Sequence, residues 1–319
     1  MDSMVGPELR LAMIGMIPGN GHPYSWSALI NGYNRAEMEK CPYPVIPKYL
    51  GARADNPIAG ARVTHIWTDD PSDAGKVAAA VKIECVVSNP EDVIGEVDGV
   101  IIATDDGNDH ARRARPFIEA GLPVFVDKPL ATNRTDLRQF AEWIDSGARI
   151  LSSSGMRYAP ELEELRGTWR WISACTPKSW ERYGIHLLEP IACILGPGFE
   201  TVRLVPCPGG RVAHLSHRSG TVVTIVALEG SLGGAFTFHA HGETEGKSVT
   251  FSDTYSAFRR QMHAVVEWMR GGAHPHPYSE TSELMSVLIA GIESAEHDGK
   301  PVEIPADPHS RTHISSLAV

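Results

Sequence analysis

The stretch VDGVIIATDDGNDHARRARPFIEAGLPVFVDKPL (97–130) constrains the fold more than any other part of the chain. Val97 to Ala103 is a near-continuous apolar run, as a strand buried on both faces requires. His110 to Ala120 reads as a helix stopped by Gly121, with Pro116 predicting a kink. Val124, Phe125 and Val126 form a second short strand, entered through Gly121 and Pro123. Strand, helix and strand in this order make a βαβ unit, whose two strands are parallel neighbours. Asp127-Lys128-Pro129 stands where the second strand ends. Alone, that tripeptide is a surface turn. On the carboxyl edge of a parallel sheet it stands where open α/β sheets bind ligands.

The rest of the first half supplies such a sheet. LRLAMI (Leu9 to Ile14) is a strand leading into the glycine-rich turn GMIPGNGH and a helix from about Tyr24 to Gly32. Strands follow at Val63–Trp67, Cys85–Val87 and Ile150–Ser152, with helices at Ala74–Val81 and Asn133–Ser146. In the last helix Leu137, Phe140, Ala141 and Ile144 recur at helical spacing. Residues 33–62 are dense in Pro and Gly and read as an irregular insertion near the nucleotide edge.

After about residue 153 the rhythm changes. A helix covers Gly184 to Leu195, strand-like runs fall at 200–206, 221–229 and 234–240, and helices take Thr254–Arg270 and Glu280–His297. Successive strands imply a mostly antiparallel sheet. The fold class is therefore α/β: a Rossmann doubly wound parallel sheet over 1–152, then an α+β domain over 153–319 for substrate binding and oligomerisation. The 319 residues suit two domains of roughly 150 each.

Composition narrows the function. The net charge of −10 argues against a nucleic-acid partner. No apolar run reaches the ~20 residues that span a bilayer, and MDSMVGPELR lacks the features of a signal peptide. Five cysteines, odd in number and without CxxC spacing, read as reduced thiols in a cytoplasmic protein.

Two motifs carry a resemblance across nearly the whole chain. VDGVIIATDDGNDHARRARPFIEAGLPVFVDKPLA (97–131) resembles the strand, Thr-Pro-x-x-x-His, helix, Gly, strand, Glu-Lys-Pro block of the glucose-fructose oxidoreductase, inositol dehydrogenase and rhizopine-catabolism family. YGIHLLEPIACILG (183–196) resembles that family's Gly-x-His-x-x-Asp helix. The resemblance implies an NAD(P)-dependent oxidoreductase of sugars, cyclitols or related polyols, with the second sheet in oligomer contacts; a few members use nicotinamide for glycoside cleavage. The chain departs from the pattern at Asp127 for Glu, Asp105 for Pro, GMIPGNG for G-x-G-x-x-G, Arg182 for the Asp four residues before His186, and Glu189 for the Asp three residues after it.

The candidate residues divide by partner. Gly15, Gly19 and Gly21 form either a backbone cradle for a pyrophosphate or an ordinary strand–helix turn. His22 contacts the cofactor or caps the turn. Asp69, past the second strand, is the candidate ribose ligand, against the alternative of a solvated Asp-Pro-Ser-Asp turn. Its charge, with no Arg or Lys in the next few residues, favours NAD over NADP. By the resemblance, Thr104, Asp127, Lys128 and Pro129 complete the cofactor site, with the Lys-Pro bond cis. Lys128 then meets the reacting oxygen and His186 acts as general base. Arg157, Tyr158, Arg182, Tyr183 and Glu189 are substrate-side candidates. Arg157-Tyr158 is either a pocket segment or a domain linker, and Arg182 either disturbs activity or pairs with an anionic substrate such as a sugar acid. Trp180 and Tyr183 stack on a sugar ring or simply pack. His239 and His241 lack further ligands, so no metal site is expected.

The leading expectation is an NAD-dependent dehydrogenase of CH–OH groups, as a homodimer or homotetramer, with a small polyol or sugar-like substrate and no nucleic-acid or membrane partner. A nucleotide- or sugar-binding regulator without turnover, motivated by the altered loop and Arg182, and an NAD-dependent glycoside-cleaving enzyme remain as alternatives.

Overall fold

Six parallel strands build the first sheet of the computed structural model, which describes residues 7–53, 56–230, 233 and 236–305. The first six residues of the amino-terminal stretch, positions 234–235 of the strand read over 234–240, and 306–319 of the second domain lie outside the described residues. The strands are β1 (Leu9–Ile14), β2 (Ala61–Trp67), β3 (Cys85–Val86), β4 (Gly99–Ile102), β5 (Val124–Val126) and β6 (Ile150–Ser152), in the order β3-β2-β1-β4-β5-β6. β4 and β5 are buried along their whole length, as central parallel strands must be. The order turns around between β1 and β4, and the carboxyl ends there form the crevice where such sheets take ligands.

Helices α1 (His22–Asn31), α2 (Arg35–Met38), α3 (Val45–Gly51), α4 (Pro71–Val81), α5 (His110–Glu119) and α6 (Arg134–Asp145) connect these strands. The irregular insertion expected over 33–62 is in fact two short helices and the start of β2. Asn34 caps α2 by accepting from the amides of Ala36 and Glu37, and Pro47 fits the first turn of α3. Met38, Cys41, Ile46, Leu50 and Ile58 are buried in the core of the first unit, so this segment belongs to it.

The second unit holds a seven-stranded sheet in the order β12-β11-β7-β10-β9-β8-β13. Its strands are β7 (Trp171–Thr176), β8 (Phe199–Cys207), β9 (Gly210–His217), β10 (Val222–Leu228), β11 (Thr237–His241), β12 (Gly246–Thr250) and β13 (Val302–Glu303). Among the described residues only β7 and β10 pair in parallel, so the sheet is mostly antiparallel as expected. Ile172, Ala174, Val223 and Ile225 bury one face; on the other, Trp171 and its register partner Val222 are 40% and 50% exposed. Helices α7 (Trp180–Tyr183), α8 (Ile185–Leu195), α9 (Thr254–Met269) and α10 (Tyr278–Glu296) complete the chain.

The two units are not two consecutive halves. One comprises 1–127, 139–152 and 254–275; the other 128–138, 153–253 and 276–319. α9, placed in the second domain by the sequence reading, buries Met262, Val265, Val266 and Met269 in the same core as Trp26 and Leu29 of α1.

Candidate active site

In the first unit the glycine turn is fixed by hydrogen bonds from three strand ends. Gly15 donates its amide to the Trp67 carbonyl at 2.8 Å, and Ala103 donates to Ile14 at 2.9 Å. Gly15 has φ +90° and Gly19 φ +85°, a region that a side chain strains. Gly21 has no such angle; there a Cβ would stand 2.6 Å from Ile46 and 2.7 Å from Tyr43, so the requirement is close approach. Asn20 holds the turn together. Its side-chain amide donates to the Ala103 carbonyl at 3.0 Å and to Asp127 at 3.3 Å, and its oxygen accepts the His22 amide at 2.9 Å. This one side chain explains how the turn forms without the G-x-G-x-x-G spacing. His22 places Nδ1 2.7 Å from Asp127 and stacks on Trp26 at 4.1 Å.

Thr104 follows β4, and among the described residues its buried hydroxyl oxygen has no hydrogen-bond partner. A Cβ on Gly15 would come within 2.7 Å of the Thr104 methyl, so this residue lies directly against the turn. An unpartnered hydroxyl beside a positive-φ glycine turn, at the start of a helix, fits a dinucleotide.

Asp69 and Asp70 have different tasks. Asp70 caps α4 by accepting the Ser72 amide at 2.9 Å. Asp69 accepts the Met16 amide at 3.0 Å and a hydrogen bond from Arg113. No cation follows Asp69 closely in sequence, but the fold brings one from 44 residues further on. Arg113 also donates to Asp109 and lies 5.8 Å from the Trp67 ring. Burial works against the Arg113 charge, but the carboxylates of Asp69 and Asp109 outweigh it and raise its pKa. Burial likewise acts to raise the Asp109 carboxyl, and Arg113 overcomes this to hold it below the ordinary range.

The second unit brings Lys128, Tyr183 and His186 together. The Lys128–Pro129 bond is cis, and Lys128 is almost fully buried. Its ammonium lies 4.9 Å from the centre of the Tyr183 ring, and the His186 ring meets the same ring edge-on at 4.7 Å. Lys178 approaches Tyr183 at 4.3 Å. Ser154 Oγ lies 2.6 Å from His186 Nδ1 and accepts the Met156 amide at 3.1 Å. The Ser154 amide donates to Glu189 at 3.1 Å, so one residue ties the histidine to the buried acid.

Arg157 and Glu189, both substrate-side candidates, pair with each other; Arg157 also reaches Glu280 at 3.0 Å. Burial opposes the Arg157 charge, but Glu189 and its neighbours more than offset this and raise the pKa. Tyr158 approaches Ser153 at 3.4 Å, and burial pushes its phenol up to about 12, so it stays protonated. Trp180 packs: it is 1% exposed and donates to the Leu288 carbonyl at 2.9 Å. His241 stacks on Trp171 at 5.1 Å. The sequence reading missed Asn20, Arg113, Ser154, Lys178 and Glu280. For Arg113 a signal existed, since it lies four residues after Asp109 and four before the buried Phe117.

A parallel sheet in the order 3-2-1-4-5-6, with a glycine turn at its switch point, defines a dinucleotide-binding Rossmann protein. Residues 9–154 match the model of the oxidoreductase family with an NAD-binding Rossmann fold. Inositol 2-dehydrogenase 1 of Saccharopolyspora erythraea is 38% identical over 114 residues, 34% of this chain and 34% of that protein. An inositol 2-dehydrogenase of Rhodococcus erythropolis is 39% identical over 83 residues, 25% of this chain and 24% of its own length. The matched stretches thus span about a third or less of these curated relatives. Among solved structures, myo-inositol dehydrogenase from Lactobacillus casei in complex with NAD(H) and myo-inositol superposes with TM-score 0.71 at 14% identity, over 94% of this chain and 97% of that one. An oxidoreductase from Agrobacterium radiobacter in complex with NAD+, L-tartaric acid and magnesium gives TM-score 0.69 at 16% identity, over 93% and 98%. Identities this low establish likeness of fold. Over residues 9–154, just under half of its length, the chain matches the glucose-fructose oxidoreductase, inositol dehydrogenase and rhizopine-catabolism family, and that stretch has the NAD-binding Rossmann fold.

Proposed function

We propose that this protein is an NAD-dependent dehydrogenase that oxidises a secondary hydroxyl of a cyclitol, sugar or sugar acid. One observation carries the reading: Lys128 and His186, two groups able to act on one hydroxyl, flank the same Tyr183 ring. NAD, when bound, supplies the hydride acceptor. The chain's own residues would handle the hydroxyl proton and the charge on the oxygen as the carbonyl forms. With a proton on Nδ1, His186 donates to Ser154 Oγ and keeps a lone pair on Nε2 for the hydroxyl proton. The Lys128 ammonium stabilises the negative charge that grows on the oxygen. Gly15, Gly19, Gly21, His22, Asp69, Thr104 and Asp127 are the residues we assign to the cofactor.

A second reading concerns the substrate. Lys178 adds another cation beside Tyr183, and Arg182 adjoins it in sequence. The charges favour a carboxylate-bearing polyol within the class. The related oxidoreductase that binds L-tartaric acid points the same way. The half-exposed pair Trp171 and Val222 supports a homo-oligomer through the second sheet. Five free cysteines go with a reducing, cytoplasmic setting.

The test is a pair of variants. Lys128→Ala and His186→Ala should fold, bind NAD as wild type does, and lose roughly 10²- to 10⁴-fold in kcat. Near-normal turnover in either would remove that residue from the chemistry.

A further inference from the structure

At the end of the second Rossmann strand, an acid meets the ribose 2′-hydroxyl of NAD or an arginine accepts the 2′-phosphate of NADP. This chain carries both at one place. Asp69 is bonded to Met16 of the glycine turn and to Arg113 of α5. Arg113 is held from the other side by Asp109, and its side chain is only 9% exposed. Its Nη1 would stand 3.4 Å from a Cβ on Gly15, so the guanidinium lies against the turn itself. We propose that Arg113 is a cofactor-specificity residue: Asp69 keeps it occupied and NAD is chosen, and loss of the Asp69 charge turns it into the receptor of a 2′-phosphate.

The charge arithmetic gives the direction. One guanidinium between two carboxylates leaves the cluster with a net negative charge, which repels a phosphate dianion. Neutralising Asp69 leaves Arg113 balanced by Asp109 alone. The guanidinium has five N–H donors: Nη2 is the one held by Asp69, and Nη1 already lies against the turn. An arginine–phosphate contact is a strong, charge-assisted pair. The proposal rests on the first unit binding a dinucleotide.

The experiment measures NAD and NADP affinity by calorimetry on the full chain for wild type, Asp69→Ser, Asp69→Asn, and each of these combined with Arg113→Gln. Asp69→Asn keeps the shape and an acceptor for Met16, and so covers the case in which the serine variant fails to fold. Wild type should prefer NAD. Either Asp69 variant should gain roughly 10- to 100-fold in NADP affinity. Adding Arg113→Gln should abolish that gain, while Arg113→Lys in the same background should keep part of it. A gain that persists without Arg113, no gain in a folded Asp69 variant, or a wild type that binds NADP as tightly as NAD would each overturn the proposal. A wild type that binds neither dinucleotide would instead bring down the cofactor reading, and the proposal with it.

Discussion

Replacing Arg157 by Met is the perturbation whose cost the structure states most directly. The Glu189 carboxylate beside it is 3% exposed, and among the described residues its other partner is one amide, that of Ser154. Without the guanidinium a buried carboxylate loses its counter-charge, and breaking a buried pair from one side costs about 3–5 kcal/mol. Glu280 adds little to this, because its side chain is 27% exposed and can turn to water. For a unit of this size the midpoint of thermal unfolding should fall by roughly 6–20 °C. The loss should also depend on pH in a definite sense. Burial already pushes the Glu189 carboxyl above the ordinary range in the native protein. With Arg157 gone its folded pKa rises further above the unfolded value. Stability is then retained at acid pH, below the unfolded pKa, and lost as pH rises through the folded one. The assay is urea unfolding followed by tryptophan fluorescence at acid and neutral pH. The double variant Arg157→Met with Glu189→Gln should regain most of the stability, since no buried charge is left. A loss below about 1 kcal/mol in the single variant, or a double variant no more stable than the single one, would refute the reasoning.

Gly291→Ala on α10 should cost about 1–3 kcal/mol by overpacking, because a Cβ there would stand 2.5 Å from Trp180 Nε1; urea unfolding checks it. Ser154→Ala should lower kcat about 10- to 100-fold with little change in KM, since its hydroxyl orients His186; steady-state kinetics decide. Sedimentation at micromolar concentration should give a dimer or tetramer that Trp171→Lys weakens, because that residue is exposed beside Val222 on one sheet face.

The first sheet was legible because its central strands, GVII and VFV, are apolar throughout, and the second is entered through Gly121 and Pro123. The second was legible only in part. β7, β9 and β12 escaped reading because polar residues alternate along them, as in WISACT and GRVAHLSH, so neither forms an apolar run. The parallel pairing of β7 with β10 leaves no trace in either strand. In the 33–62 segment, Pro and Gly suggested irregularity where Pro44 and Pro47 start α3 and Gly51 ends it; the buried Met38, Ile46 and Leu50 were the better guide. α9 carries an apolar stripe that suits either core, so its unit could not be assigned from periodicity. At the candidate site, motifs singled out Lys128 and His186. Arg113 and Ser154 were not, because what matters about each is a partner distant in sequence.

The central claim is hydride transfer from a polyol carbon to NAD, and isotope transfer tests it most directly. Cyclitols, sugars and sugar acids bearing deuterium on the hydroxyl carbons would be incubated with the protein and NAD, and the nicotinamide product analysed by mass spectrometry. The account predicts that at least one substrate is oxidised, that its deuterium appears on the reduced nicotinamide, and that His186→Ala slows this by the factor given above. Tight NAD binding with no oxidation of any member of the panel, or deuterium released to water instead of the cofactor, would contradict it.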